Sequence, residues 1–326
     1  MGGTEDLTIL VPVYNDWESF GELVSDLDET LRDLNKTCSI LAVDDCSVDP
    51  FDPELFDPNS LKRITWMKVI HLHINMGHQR AIAVGLAYVH DHFPKSAVIV
   101  MDADGEDTPA EITKLLFAHG NSPQKIILAK RAHRSEGFWF RLFYHLYKLL
   151  FSILTGREIT FGNFSLLPQA VLPKLVRMPE VWNHYAGALL KSKLPRKEIP
   201  INRGSRYFGK SKMRFADLVL HGLSAISIYL EMVIVRMLIA SMSVIGLAFF
   251  GFLVVVYIRF FTDLAIPGWA TNLTIGLAMV VIQAVILLTL LTFVVLNQRS
   301  SKQVIPAKDY PDFIFKTETL MRGMDG

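Results

Sequence analysis

The stretch VIVMDADGEDTP, Val98–Pro109, places several acidic side chains directly after an apolar run. The acids are Asp102, Asp104, Glu106 and Asp107. Side chains at i and i+2 of an extended segment share a face, so Asp102 and Asp104 point the same way. Two carboxylates without a neighbouring Cys or His suit a hard cation such as Mg²⁺ or Mn²⁺, which leaves positions for phosphate oxygens. The alternative is that acids before Pro109 only favour the start of a helix.

A basic segment further along the chain supplies the opposite charge. Within Ile199–Met213 the cations are Arg203, Arg206, Lys210 and Lys212. Arg and Lys are the usual partners of phosphate oxygens, so this loop is a candidate phosphate site. The alternative is a basic segment attracted to anionic lipid before a membrane span. Arg131 and Arg134 form a second basic pair, where a negatively charged lipid head group could bind.

Short apolar runs alternate with helical patterns over the first 130 residues. The predicted strands are Leu7–Val13, Ser39–Val43, Met67–Leu72, Ala97–Met101 and Lys125–Ala129. The predicted helices between them are Trp17–Asn35, Gln79–His92 and Pro109–His119. This alternation predicts an α/β domain, with a mostly parallel, Rossmann-like sheet covered on both faces.

Polar groups follow three of these strands where each strand ends. They are Tyr14-Asn15-Asp16, Asp44-Asp45 and Asp102-Ala103-Asp104. The carboxyl ends of parallel strands share one edge of the sheet, and open α/β sheets bind ligands at that edge. We therefore expect the three groups to form one site.

Two long uncharged stretches near the C-terminus predict membrane spans. No charged residue occurs between Arg236 and Arg259, or between Asp263 and Arg299. Each stretch exceeds the ~20 apolar residues that cross a bilayer. We predict transmembrane helices at Met237–Ile258 and Asn272–Leu296. Buried core helices are the alternative, but neither stretch has a polar face to turn to water.

The flanking charges predict the orientation and the domain boundaries. Met1–Asp6 lacks the basic-then-apolar order of a signal peptide, and the segment after the spans is basic. Both termini are thus expected in the cytoplasm, at the inner membrane. We predict a cytosolic domain over 1–213, a juxtamembrane amphipathic helix over 214–235, two spans over 236–298 and a cytosolic tail over 299–326. Within the first domain, 137–155 is expected to be a helix in the bilayer interface, with a core helix as the alternative.

Composition excludes several other classes. The formal net charge of +1 gives no field for nucleic acid. Cys38 and Cys46 have no CxxC spacing and are expected to be reduced. His71, His73 and His78 fit histidines that face a polar layer better than a metal site. There is no Walker A loop and no GxGxxG.

Together these residues resemble glycosyltransferase family 2, which has the GT-A fold, and most of all its polyprenyl-phosphate sugar transferases. Those relatives are of the dolichyl-phosphate mannose synthase and bactoprenyl glucosyltransferase types. The resemblance is carried by VPVYND at Val11–Asp16, VDDCSVD at Val43–Asp49, NMGHQRAIAVGL at Asn75–Leu86, DADGEDTP at Asp102–Pro109, RYFGKSK at Arg206–Lys212 and IPGWA between the spans.

The resemblance implies roles for individual residues. The nucleoside of the donor would be held by Pro12, Tyr14, Asp16 and Asp45. Nucleotide and divalent metal would be held by Asp102, Ala103 and Asp104, with Glu106 as a third acid at the metal. Arg206 and Lys212 would bind the donor phosphate. The lipid phosphate would be bound by Arg131, Arg134 and Arg141. Members of this family invert the anomeric centre by a single displacement.

Three positions depart from the family pattern. Glu106 stands where relatives commonly have Gln, and Cys46 replaces the Gly of DDGS. Asn163 stands where many relatives carry the active-site Asp, and Asn cannot act as a general base at pH 7. An acceptor phosphate has its second pKa near ~6, so it is largely dianionic and needs no base. A hydroxyl acceptor would need a general base, which contributes about 10²–10⁴-fold to the rate. Asn163 therefore favours a phosphate acceptor.

The sequence therefore predicts an enzyme that transfers one sugar from a UDP- or GDP-linked donor to polyprenyl phosphate at the cytoplasmic membrane face. One alternative is transfer to a hydroxyl of a lipid-linked saccharide. Another is a non-catalytic membrane subunit that binds nucleotide sugar. Polymerisation is not expected, because no Q-x-x-R-W motif is present. The spans and the tail are natural contacts for a homo-oligomer.

Overall fold

The computed structural model describes residues 6–52, 55, 60–131, 148–157, 161–209, 215–264 and 268–322. The chain divides into two compact units. The first contains Met1–His145, Glu158–Ile228 and Gln303–Gly326. The second contains Leu146–Arg157 and Tyr229–Lys302.

A mixed sheet forms the centre of the first unit, in the order β7-β5-β6-β4-β1-β2-β3-β8. Its strands are β1 Asp6–Val13, β2 Cys38–Asp44, β3 Ile64–Leu72, β4 Ser96–Val100, β5 Ile126–Arg131, β6 Ser165–Leu167, β7 Arg196–Ile201 and β8 Ile314–Arg322. Strands β1 to β4 are mutually parallel, and β5 pairs in parallel with β7. The predicted α/β fold with a mostly parallel sheet is confirmed.

Helices cover both faces of this sheet. In chain order the described helices of the unit are α1 Trp17–Asp33, α2 His78–His92, α3 Pro109–Gly120, α5 Leu172–Leu175, α6 Glu180–Asn183, α7 Tyr185–Lys191, α8 Phe215–Ser227 and α11 Pro306–Asp309. Leu10 packs in the cluster that contains α2, whereas Ile9 and Val11 pack in the cluster that contains α1 and α3. Alternate residues of a strand point to opposite faces of the sheet, so each apolar run contributes buried side chains to both faces.

Two antiparallel strands of this sheet differ from the sequence-based expectation. Strand β6 has three residues and lies between β4 and β5. Strand β8 pairs with the outer edge of β3, with Ile70 opposite Thr317. The segment expected to be a separate tail thus returns to the sheet and satisfies backbone groups at its edge. An edge strand exposed on one side is polar in sequence, which is why β8 resembled a tail.

The second unit contains the two apolar helices, α9 Leu230–Phe261 and α10 Trp269–Ser300. Both are long and apolar enough to cross a membrane. Their apolar stretches are only 17% and 6% buried, unlike the core helices of a soluble protein. Helix α9 begins at Leu230, so the expected helix over 214–235 is instead α8, a break and the first turns of α9.

Helix α4, of which residues 148–155 are described, belongs to the same unit. The Arg236 guanidinium donates to the carbonyl of Ile153, and the rings of Phe151 and Tyr229 meet edge to face. The rest of the expected interfacial helix over 137–155 lies outside the described residues. Its location in the bilayer interface stays a prediction.

Gly85 allows α2 to pack closely on the sheet. A Cβ at this position would lie 2.3 Å from Leu10 Cδ1 and 2.9 Å from Val43 Cγ2. We expect Gly85→Ala to lower the free energy of unfolding by about 1–3 kcal/mol, because the core would be overpacked. Thermal or denaturant unfolding of the purified chain in detergent measures this.

Gly120→Ala is the matched control, because a Cβ there meets nothing within 4 Å and the residue is in helix α3. This variant is expected to be neutral or stabilised by up to about 1 kcal/mol. Equal stabilities of the two variants would contradict the close packing of α2.

Candidate active site

The register of the sheet brings the predicted polar groups to one edge. Val13 is opposite Asp44, and Asp44 is opposite His71. On the other side of β1, Leu10 is opposite Val100, the last residue of β4. The loops after β1, β2 and β4 therefore leave the sheet side by side, as expected for a ligand site.

Asp45 fixes the chain at the start of α2. Its carboxylate accepts the backbone N–H groups of Met76 and Gly77, at 2.7 and 2.8 Å. Burial raises the pKa of Asp45, although these two hydrogen bonds oppose the shift. The next residue, Cys46, has φ +59°, a left-handed conformation that glycine adopts without strain. The Cys in place of Gly is therefore accommodated at a cost in backbone strain.

Asp44 has a structural role. It accepts the N–H of Ser47 at 2.9 Å and bonds to His71 Nδ1 at 2.8 Å. Burial alone would raise the pKa of Asp44, but the hydrogen bonds from His71 and Ser47 hold it below its ordinary value. The polar contact with Asp44 thus accounts for His71.

The loop after β1 is tied to the loop after β2. Asn15 Oδ1 accepts the N–H of Val48 at 2.7 Å, and Asn15 N–H donates to Ser47 Oγ at 2.9 Å. Of the residues predicted to hold the nucleoside, Pro12 is buried and Tyr14 is 45% exposed. Tyr14 therefore presents an aromatic surface at the ligand edge.

The acidic residues after β4 form a tight turn. The Asp102 N–H donates to Asp107 Oδ2 at 3.2 Å, and the Glu106 N–H donates to Asp104 Oδ1 at 3.0 Å. Ala103 is 6% exposed and Asp107 only 2%. Asp107 therefore holds the turn together from inside, a role that the sequence did not reveal.

The basic loop packs directly on this turn. The Gly204 N–H donates to the carbonyl of Glu106 at 2.9 Å, and the Tyr207 N–H donates to that of Asp104 at 3.0 Å. Gly105 has φ +82°, and a Cβ there would lie 2.6 Å from the Tyr207 ring. Glycine at 105 is needed both for this conformation and for the close approach of the tyrosine.

Two arginines of the loop pair with the acids. Arg206 Nη1 lies 2.9 Å from Asp104 Oδ2, and its Nη2 lies 3.5 Å from Asp16 Oδ2. Arg203 pairs with Glu106. The Nε of Arg206 is buried and has no acceptor among the described residues. A donor atom in this state suits an additional oxygen ligand, such as a phosphate oxygen.

Negative charge still prevails at the turn. Burial first, and then the charge of Asp102, raises the pKa of Asp104 to about 6, although Arg206 and Arg203 act in the opposite direction. A carboxyl group with a raised pKa is one whose ionised form lacks compensation. A divalent cation would supply that compensation.

The fit to a metal ion depends on two residues rather than three. Within the part of the chain that the structure describes, no group of three His, Cys, Asp or Glu side chains is arranged to hold an ion. Glu106, the expected third ligand, faces Arg203. Mg²⁺ is usually held by one or two carboxylates with phosphate oxygens and water. Asp102 and Asp104 fit that pattern.

Asn163 belongs to a hydrogen-bonded chain beside the acidic turn. Gln79 Oε1 accepts the N–H of Tyr185 at 2.6 Å, so its Nε2 faces Asn163 Oδ1 at 3.3 Å. Asn163 Nδ2 then points at His78 Nε2, 2.8 Å away. The same imidazole nitrogen lies 3.1 Å from Asp102 Oδ1. Asn163 is thereby connected to the predicted metal ligand through His78.

His78 and Gln79 were not predicted as site residues. They lie at the start of α2, inside the segment NMGHQRAIAVGL that carried the family resemblance. That segment was the available signal. Nothing in its periodicity indicates that these two side chains reach Asn163, 84 residues further along.

The side chains of four predicted site residues lie outside the described part of the chain. Arg134, Arg141 and Lys212 lie outside the described residues. Arg131 ends β5, but its side chain is also outside the described part. The predicted acceptor-phosphate site and the role of Lys212 remain predictions.

This fold defines an α/β protein whose candidate site lies at the carboxyl edge of an open sheet, the edge at which such sheets bind ligands. The model of glycosyl transferase family 2 matches residues 8–174, about half of the chain. The chain belongs to this family and is a glycosyltransferase.

Curated relatives agree with this assignment. The chain is similar to the uncharacterized glycosyltransferase YkcC of Bacillus subtilis (strain 168), with 24% identity over 83% of this chain and 82% of that protein. It is also similar to the undecaprenyl-phosphate 4-deoxy-4-formamido-L-arabinose transferase of Salmonella choleraesuis (strain SC-B67), with 26% identity over 65% of this chain and 64% of that protein.

Among solved structures, the chain is similar to glucosyl-3-phosphoglycerate synthase from Mycobacterium tuberculosis in complex with Mn²⁺, UDP-glucose and phosphoglyceric acid. The TM-score is 0.49 and the sequence identity 10%, over 71% of this chain and 80% of that chain.

Arg206 supplies the positive charge that faces Asp104. Its removal should therefore strengthen the binding of another cation at this carboxylate. We expect Arg206→Met to lower the free energy of unfolding by about 0.5–1 kcal/mol without divalent ions, as for a partly exposed ion pair. Added Mg²⁺ should raise the Tm of this variant more than that of the wild type. Thermal unfolding with and without Mg²⁺ measures both effects.

Arg177→Met is the control, because Arg177 is exposed and donates to the carbonyl of Pro173 rather than to an acid. Its Mg²⁺ response should equal that of the wild type. An Arg206→Met variant with the same Mg²⁺ response would contradict the pairing with Asp104.

Proposed function

We propose that this glycosyltransferase moves a single sugar, with inversion, from a nucleotide-sugar donor to polyprenyl phosphate at the cytoplasmic face of the inner membrane. The observation that carries the proposal is the Asp102–Asp104 turn, faced by Arg206, at the ligand edge of a family 2 domain. Two apolar helices in the same chain support a lipid-linked acceptor.

The donor is a UDP- or GDP-linked sugar. Its nucleoside is held by Tyr14 and Asp16 after β1, and by Asp45 after β2, beside the buried Pro12. Tyr14 offers its exposed ring to the base, since aromatic side chains stack on π-systems. The Asp45 carboxylate already accepts hydrogen bonds from two backbone N–H groups, which hold it in place for a further hydrogen bond to the nucleoside.

Asp102 and Asp104 would hold Mg²⁺ or Mn²⁺, which when bound neutralises charge on the nucleoside-diphosphate leaving group. Arg206 binds the same diphosphate through its free Nε–H, and Lys212 provides a second cation. To reach phosphate, Arg206 weakens its pairing with Asp104. Arg206 would thus exchange its carboxylate partner for phosphate, and the divalent cation would take its place at Asp104.

The acceptor is a lipid phosphate bound by Arg131, Arg134 and Arg141. Similarity to an undecaprenyl-phosphate sugar transferase supports this choice. So does Asn163, because a dianionic phosphate attacks without a general base. Asn163 instead orients a reacting group through hydrogen bonds, with its amide direction set by Gln79.

The topology of the first unit supports an even number of membrane crossings. Strand β8 follows α10 in the chain, yet it pairs with β3 of the N-terminal sheet. Because one sheet contains strands from before α9 and after α10, both ends of the helical pair belong on one side of the membrane. The basic segment after α10 assigns that side to the cytoplasm.

The metal proposal is tested by Asp104→Ala in the full chain, with radiolabelled donor and lipid phosphate. We expect kcat/KM to fall at least about 100-fold, as when a group that stabilises the leaving-group charge is removed. Asp33→Ala, which removes an exposed acid at the end of α1, should leave turnover unchanged. Unchanged turnover in Asp104→Ala would remove the metal role.

The acceptor proposal is tested by Asn163→Asp with phosphate and hydroxyl acceptors in parallel. With lipid phosphate, we expect an equal or lower rate, because a carboxylate adds no needed base and repels the dianion. If a hydroxyl of a lipid-linked saccharide were the acceptor, the new base should raise the rate by about 10²–10⁴-fold. Donor binding without transfer to any acceptor would favour the non-catalytic alternative.

A further inference from the structure

Gln283 is a polar residue in the middle of the apolar stretch Trp269–Gln298 of α10. A helix rises about 1.5 Å per residue, and the hydrocarbon core of a bilayer is about 30 Å thick. If α10 crosses the membrane as proposed above, the Gln283 carboxamide is near the bilayer centre. A glutamine side chain is too short to reach the head groups from there.

The Gln283 side chain is exposed on the helix surface and makes no hydrogen bond to any described residue. The other polar groups nearby differ from it. Thr289 and Thr292 donate to the carbonyls of Val285 and Leu288, at 2.9 and 2.8 Å, within the same helix. Gln283 therefore leaves an unsatisfied amide where no water is available, which is energetically unfavourable.

Helix α9 does not satisfy this amide. The buried residue of α10 is Ala284, and Leu277, two turns before it, contacts Gly251 of α9. Gln283 is on a different face, together with Met279 and Leu290, which are 61% and 57% exposed. This face, defined by Met279, Gln283 and Leu290, is the Gln283 face.

A second copy of the chain supplies the matching group. A carboxamide contains both a donor and an acceptor, so two of them pair through reciprocal N–H···O bonds. All copies insert in the same orientation, so residues at equal depth in two parallel α10 helices are identical. A midplane Gln283 thus meets another Gln283 across a two-fold axis.

We propose that the Gln283 face is a homodimer contact in which the two Gln283 side chains hydrogen-bond to each other at the bilayer centre. Polar side chains commonly connect helices inside membranes in this way. The apolar Met279 and Leu290 pack above and below the pair. The contact joins two copies without using any residue of the proposed active site.

Energy transfer between donor- and acceptor-labelled full chains in lipid vesicles, over a range of protein-to-lipid ratios, tests this. We expect Gln283→Leu to weaken the dimer by about 3- to 30-fold, the effect of interhelical hydrogen bonds of this kind. Gln283→Asn, which keeps a carboxamide, should weaken it less. Gln298→Leu, at the end of the same stretch, should behave as the wild type.

The contact is overturned if the wild type stays monomeric at every ratio, or if Gln283→Leu dimerises as well as the wild type. Capture of a different membrane protein through Gln283, without self-association, would also overturn it. The measurement does not need sugar transfer, so its failure is distinct from failure of the proposed activity. Release of the wild-type chain from vesicles by alkaline carbonate would overturn the membrane placement itself.

Discussion

The concentration of negative charge at the carboxyl edge of the sheet is the constraint on which the site depends. Asp16, Asp102 and Asp104 converge there. Burial first, and then the charges of Asp102 and Asp16, raise the pKa of Asp104, although Arg206 and Arg203 act in the opposite direction. Arg206 bridges Asp104 and Asp16, and so holds the loop after β7 against the loop after β4. The small residues between them follow from this pairing, because the backbones must approach closely: Gly105 against the Tyr207 ring is the clearest case.

This arrangement would allow one site to accept a metal ion and a diphosphate together. Without ligand, guanidinium groups occupy the carboxylates. In the proposed function, Arg206 would exchange a carboxylate for a phosphate when a cation and phosphate oxygens are both bound, so the charge balance of the site would be kept. A bare cation would have to compete with Arg206 for Asp104, and a bare diphosphate would meet the carboxylates. The proposed site would therefore favour the two together over either alone.

The second feature is the link from Asn163 to Asp102 through His78. One imidazole nitrogen faces an amide donor on one side and a carboxylate on the other, and it can serve only one of them in a given protonation state. Gln79 fixes the amide direction, so the position that lacks the usual acid is still held rigidly. Asn163 thus has a side-chain partner at each end of its amide, Gln79 at the oxygen and His78 at the nitrogen.

The sequence by itself determined the α/β class, the two apolar helices and the acid pair at a strand end. Each depends on the local spacing of apolar and polar residues, which reflects which faces are buried. It also placed Tyr14, Asp16, Asp45 and Asp102 at one sheet edge. Only the tertiary structure decided the antiparallel strands β6 and β8, the pairing of Arg206 with Asp104 and the contact of Gln79 with Asn163. Local patterns carry no information on which distant segments become neighbours, since that choice follows from the packing and backbone pairing of the whole sheet.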